Sequence, residues 1–471
     1  MSAPRNCYRL WACLVAVAGG LSPVLAEEKL PADVFTGGAT TVFANGRNAF
    51  SFPFANLEDA ERARFAVGNS FFRRNWVEAP SSTLARDGLG PHFIARSCGG
   101  CHVQDGRGEP PEAGEQPVGL LFRLSIPGRG PHNAIIPEPT YGDQFNNNAI
   151  QGVKPEGKLA ISYATLTGQF ADGTPYTLLQ PEYRFVELAY GPMHPEVLVG
   201  PRIAPQIIGV GLLEAIPEQE ILANVRHQAA APGPVKGQVN RVWDAFAGAE
   251  RIGRFGWKAN VASVAHQTAG AFLGDIGITS SKNPREACTE AQPDCRAAPR
   301  GGRNGQPEID DETLAQVVFY QATLAPAARR DAADPLVRRG QGLFAQAGCV
   351  TCHRPSYVTG APPNPAMASS QAAGQQIWPY TDLLLHDMGP GLADNRPDGL
   401  AHGRQWKTPP LWGVGLIREV NGHQRLLHDG RARGVLEAVL WHGGEAAPAR
   451  DAVLKFNKEE REALVRFVDS L

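Results

Sequence analysis

The chain has 471 residues, with 45 basic and 47 acidic side chains and a formal charge of −2. That length allows two or three ordinary domains, and a near-neutral balance without a basic run argues against a nucleic-acid or anionic-membrane partner. The 52 glycines, 39 prolines and patchy apolar periodicity speak against a helical bundle or repeat array, and for long ordered loops wrapped around cofactors.

Residues 1–26 read as a secretory signal: Arg5 and Arg9 precede an apolar run, Leu10 to Leu25, that ends at Ala26. Cys13 opens that run instead of ending it, which argues against lipoprotein processing. The mature chain is expected to begin near Glu27 and to reside in the periplasm. No later stretch approaches the roughly 20 continuous apolar residues of a membrane span.

An N-terminal unit is expected over 27–141. Phe65, Val67, Phe71 and Phe72 are its candidate core, and Gly88-Leu89-Gly90-Pro91 reads as a turn. Ser97-Cys98-Gly99-Gly100-Cys101-His102 follows, then an Asp105-Gly106-Arg107-Gly108 loop. A middle region over 142–335 carries short apolar runs, Ile207 to Leu213 and Leu314 to Leu324. It also carries Cys288 and Cys295, which are expected to form a local disulfide in an oxidising compartment. A C-terminal unit over 336–471 begins with an amphipathic segment, Leu336 to Gly348, that runs into Gly348-Cys349-Val350-Thr351-Cys352-His353. It closes with Asn457-Lys458-Glu459-Glu460, a capping box, and Ala463, Leu464, Phe467, Val468 and Leu471 at helical spacing.

Both C-x-x-C-H strings are attachment signatures of c-type haem. Cys98 and Cys101, and likewise Cys349 and Cys352, would form thioethers with the haem vinyl groups, with His102 and His353 as proximal iron ligands. Neither a zinc half-site nor a thiol redox pair fits as well, because no further C-x-x-C remains to complete a four-cysteine site. Beyond Met1 there are only three methionines. Met388 lies 35 residues past His353, a spacing that suits a loop crossing to the distal face, so it is the candidate distal ligand, with His386 as competitor. The first motif has no such partner: His92, His132 and Met193-His194 are its only neighbours of the right type. That contrast suggests one relay haem and one accessible, substrate-facing haem. Trp257, Trp406 and Trp412 are aromatic candidates for electron transfer, and an unassigned arginine is expected to pair a haem propionate.

These strings, together with Asp87 to Pro91, Tyr141 to Gln144, Pro201 to Pro205, Gly211 to Pro217, Phe255 to Ala259, Gly277 to Thr279, Tyr380 to Gly389 and Thr408 to Gly413, resemble the di-haem oxidoreductase family, whose members are also labelled thiol oxidoreductases with two cytochrome c haem sites. The C-terminal half is distantly similar to di-haem cytochrome c peroxidases through Thr408 to Leu411 and His428 to Gly430. Those enzymes carry a methionine ligand just before the T-P-x-L string, where this chain has Gln405-Trp406. The resemblance implies two covalent haem c groups, a small-molecule oxidant such as peroxide and a periplasmic electron donor. It also allows calcium, for which no distinctive loop is visible. The implied fold is mainly α with long ordered loops: two cytochrome c-like haem domains joined by a mixed middle region. The alternatives are a non-catalytic electron-transfer cytochrome and, ranked lower, a thiol oxidoreductase.

Overall fold

A computed structural model describes residues 30–83, 85–302 and 305–471; the expected signal segment lies outside them. Helix accounts for 31% and strand for 18%, the latter spread over several small sheets. The expectation of a mainly α chain with two separate haem domains is therefore corrected. Short two- and three-stranded pairings escape a search for long periodic segments, and the middle region supplies helices to the core around the first motif.

Helix α1 (Asp59–Arg73) starts with a Glu58/Glu61 capping box and buries Phe65 and Phe72. Phe71 is half-buried and packs against the same core, whereas Val67 is exposed, so one of the four expected core residues of this segment faces outward. Strands β1 (Leu120–Ser125), β2 (Gln144–Phe145) and β5 (Leu198–Ile203) form an antiparallel sheet in the order β2-β1-β5. Between its members, β3 (Lys158–Gln169) and β4 (Pro175–Val186) make a long ribbon. Its base alternates inward Leu159 and Ile161, paired with Phe185 and Tyr183, over a small aromatic core with Phe122 and Phe145. Its tip leaves that core and lands on the C-terminal part, where Arg461 packs over Phe170 at 4.1 Å and pairs with Asp172 at 2.9 Å.

Helix α3 (Asp311–Ala322) packs against both α1 and α2 (Val264–Ile276), so Tyr320 of α3 stacks near Phe65 and Phe72 of α1. Helix α4 (Pro335–Gln346) leads into the second C-x-x-C-H string and crosses α5 (Lys458–Ser470). The crossing is tight: a Cβ on Gly340 would meet the Ala463 carbonyl at 1.9 Å. Phe344 and Phe467 seal it at a centroid distance of 5.2 Å. The predicted capping box holds, with Asn457 and Glu460 exchanging side-chain and backbone hydrogen bonds. Strands β6 (Leu385–Asp387) and β7 (Gln405–Lys407) pair nearby. One large apolar cluster runs from Ala49 to Leu471, with Cys98 and Cys349 both packed against it. Among the described residues no helix is long and apolar enough to cross a membrane.

Candidate haem centres

The two motifs are built differently and converge on one geometry. Ser97 is extended, and Cys98–Cys101 forms a single helical turn with His102 at its end. In the second motif α4 stops at Ala347, and Gly348 takes the left-handed conformation (φ 84°) that ends helices at low cost. A short 3₁₀ turn, Cys349–Thr351, then places Cys352 and His353. In both, residues three apart in a helical turn put the two sulfurs on one side.

His102 donates from Nδ1 to the Pro205 carbonyl at 2.8 Å, and His353 donates from Nδ1 to the Tyr380 carbonyl at 2.9 Å. This is how metal-ligating histidines are oriented: one nitrogen is fixed by a carbonyl, the tautomer is set, and Nε2 is left for the metal. Burial pulls His353 down to about 4, keeping the ring neutral as ligation requires. Burial, and next the charge of Asp275, push Cys98 up to about 12; burial likewise pushes Cys349 up to about 12. Such thiols stay protonated, the opposite of what thiolate chemistry needs. Cys288 and Cys295 are joined in a disulfide, and the described free cysteines are the four of the two motifs.

A cavity of about 460 Å³ adjoins the second motif, lined by Cys349, Cys352, His353 and Met388. It extends to Pro205 and Arg107, so it ends beside the carbonyl that orients His102. Three buried cations line it without a carboxylate partner among the described residues. Arg107 donates to the Arg425 and Leu427 carbonyls, and Arg254 to those of Leu213, Glu214 and Ile216. The Lys407 side chain makes no hydrogen bond, and burial pulls it down to about 8. The acid on this wall, Glu445, is already taken by His386. A cavity with surplus buried cations calls for an anionic occupant. The two propionates of a haem meet that need, so the residues present fit the group.

Both ring nitrogens of His386 are engaged. Its Nε2 bonds Asp382 at 2.8 Å and its Nδ1 bonds Glu445 at 2.7 Å, leaving neither nitrogen for a metal. Burial opposes the charge, but the two carboxylates outweigh it and hold His386 well above the ordinary histidine value. His442, passed over as a ligand in the sequence, does line the cavity, with Nδ1 donating to the Ala438 carbonyl at 2.6 Å. Trp257 and Trp406 also line it, their indole nitrogens bonded to the Ile203 and Leu392 carbonyls, whereas Trp412 is a fully buried core residue.

Around the first motif the expected distal candidates are engaged elsewhere. His92 bonds the Lys154 carbonyl, His132 stacks on Trp243, Met193 packs against the sheet core, and His194 accepts at Nδ1 from the Glu196 backbone N–H. What the structure does bring to this motif is Asp275, at the end of α2. Its carbonyl accepts from Ile94 and Ala95, just before the motif, and its Oδ1 accepts from Gln144 at 3.0 Å. Its other oxygen has no protein partner among the described residues. Its carboxylate is the strongest charge felt by Cys98, Cys101 and His102. Burial raises its own value, against Arg123.

Two such turns each present a histidine oriented by a backbone carbonyl, an arrangement that two metal centres could use. The chain belongs to the family described as "Di-haem oxidoreductase, putative peroxidase", whose sequence model matches residues 32–120 and 187–471. The unmatched stretch contains most of β1 and all of the β3–β4 ribbon. Neither the curated proteins nor the solved structures give a match.

Proposed function

We propose that this chain is an exported, periplasmic di-haem c peroxidase that takes electrons from a periplasmic donor at the second centre and meets a peroxide at the first. The observation that carries the division of labour is the asymmetry of the two environments. The second centre has a largely apolar cavity with Met388 on its wall. The first has, among the described residues, no methionine or free histidine beside it but a half-buried carboxyl, Asp275, with one unpartnered oxygen. When bound, the haems would supply iron able to pass electrons between the donor and the O–O bond.

The chain's own residues do the rest. Cys98, Cys101, Cys349 and Cys352 would tether the two groups, and His102 and His353, each oriented by a backbone carbonyl, would be the residues that hold the iron. Arg107, Arg254 and Lys407, on the cavity wall, would meet the propionates, and Met388 would be the second ligand there. Asp275 carries the proton that the departing oxygen requires, with Gln144 fixing its orientation. Both motifs pack against one apolar core, and Pro205 orients His102 while lining the cavity beside the second motif.

The ligand assignment is tested by Met388→Ala. Loss of the low-spin absorption and magnetic circular dichroism of one haem is expected; an unchanged spectrum transfers the role to His442. Lys407→Met tests the cation wall. Removing a buried positive charge favours the oxidised iron, so spectroelectrochemical titration should find the potential of one haem lowered and the other unmoved. Two unmoved potentials would place Lys407 away from the haem. Stopped-flow mixing with hydrogen peroxide tests the function itself: spectral change should be confined to the non-methionine haem.

A further inference from the structure

The aromatic surroundings of the two proximal histidines are nearly the same. Behind His102 stands Phe72 at a centroid distance of 6.2 Å, and behind Phe72 stands Tyr320 at 5.2 Å. Behind His353 stands Phe344 at 6.0 Å, and behind Phe344 stands Tyr380 at 6.1 Å. Both tyrosines are almost completely shielded from solvent.

They differ at the phenol. Tyr320 donates to Asp105 Oδ1 at 2.6 Å. The other oxygen of Asp105 accepts from Arg73 at 2.5 Å and from Ser51 at 2.6 Å, so the carboxylate is fixed with one lone-pair direction aimed at the tyrosine. Asp105 is fully buried, and its backbone N–H donates to the His102 carbonyl at 2.9 Å. Tyr320 thus reaches the first proximal histidine by two short routes, through Phe72 and through Asp105. The Tyr380 hydroxyl has no hydrogen-bond partner among the described residues.

We propose that Tyr320 is a redox-active side chain that stores one oxidising equivalent of the first centre as a neutral radical. The inference rests on that centre being the one that meets peroxide. Hydrogen peroxide, a two-electron oxidant, is reduced to water and leaves two oxidising equivalents behind. One electron then leaves the Tyr320 phenol for the oxidised centre, and its O–H proton moves to Asp105 Oδ1. The donor's electron and the same proton later restore the phenol. A phenol gives up an electron readily only if its proton can leave with it, and burial forbids loss to water. The carboxylate partner therefore decides which tyrosine can react. Tyr380, similarly placed behind Phe344 and with its backbone carbonyl on His353 but without a phenol acceptor among the described residues, stays inert. Burial among Phe65, Phe72 and the α1–α3 contact protects the radical from quenching.

Rapid-freeze electron paramagnetic resonance of the di-haem protein mixed with hydrogen peroxide tests this. Wild type should give an organic radical signal that narrows when the protein is grown on ring-deuterated tyrosine. Tyr320→Phe should lose it and Tyr380→Phe should keep it, with both variants retaining full haem content and unchanged resting spectra. Asp105→Asn should lower the radical yield with the tyrosine still present. A signal that survives in Tyr320→Phe, or a peroxide-reactive haem with no tyrosine radical, overturns the inference and leaves the peroxide assignment standing. A first haem indifferent to peroxide overturns both.

Discussion

Asp275→Asn should cut turnover with hydrogen peroxide by roughly 10²- to 10⁴-fold while leaving both haems attached, the range over which a positioned proton donor contributes. The amide keeps the shape of the carboxyl and can still accept from Gln144, so α2 and the 94–95 contact it makes should survive. What disappears is a transferable proton beside the first motif. The sign of the pH dependence follows from the same group. Burial raises Asp275 above the usual carboxylate value, with Arg123 pulling the other way, so its protonated form persists to higher pH than an exposed aspartate would allow. A donor must be protonated to act, so wild-type turnover should fall as pH rises through that elevated value, and the Asn variant should be flat there. Steady-state rates at matched haem content check it; full activity in Asp275→Asn would remove the residue from the chemistry.

His386→Ala should cost about 3–5 kcal/mol of stability, the usual loss when one member of a buried charge group is removed. Asp382 and Glu445 would be left facing each other across a vacated site, with Gln228 the only side-chain donor remaining to Asp382. Histidine held above its ordinary value contributes fully at pH below that ordinary value and loses the contribution as pH rises through the raised one. Asp382 and Glu445 are pushed up by burial but more strongly down by His386. Their contribution is therefore lost as pH falls through their depressed values. The gap between wild type and variant should thus be widest around neutral pH and close at both extremes. Denaturant unfolding of the di-haem protein across pH measures it; a difference below about 1 kcal/mol at neutral pH would mean the triad is not a stability element.

Much of the site was legible because its chemistry is written in contiguous residues. The attachment strings, the capping box at Asn457, the Cys288–Cys295 pair and the helix entering Cys349 all depend on neighbours within a few positions. The mainly α expectation failed because the strands are short or sit in a ribbon whose exposed half shows no clean alternation. His386 looked like a ligand because Met388 lies two residues away; only the fold brings up Glu445, 59 positions on, to occupy its second nitrogen. Asp275, Arg254, Lys407 and Tyr320 reach the centres from separate elements, and no local motif assigns any of them a role. Asp105 was visible as part of a loop, but its meaning depends on a tyrosine 215 positions later. The one usable signal was the run of long, specific strings around Gly277 and Thr408, which border Asp275 and Lys407.

The central claim, that the two centres are unequal and the first is the one open to peroxide, is tested most directly by electron paramagnetic resonance of the oxidised protein before and after peroxide addition. The account predicts one low-spin, methionine-ligated haem that peroxide leaves unchanged until electrons move, and a second signal, abolished by replacing Cys98 and Cys101, that reacts at once. Two low-spin haems, both indifferent to peroxide, would contradict it and make the chain an electron carrier.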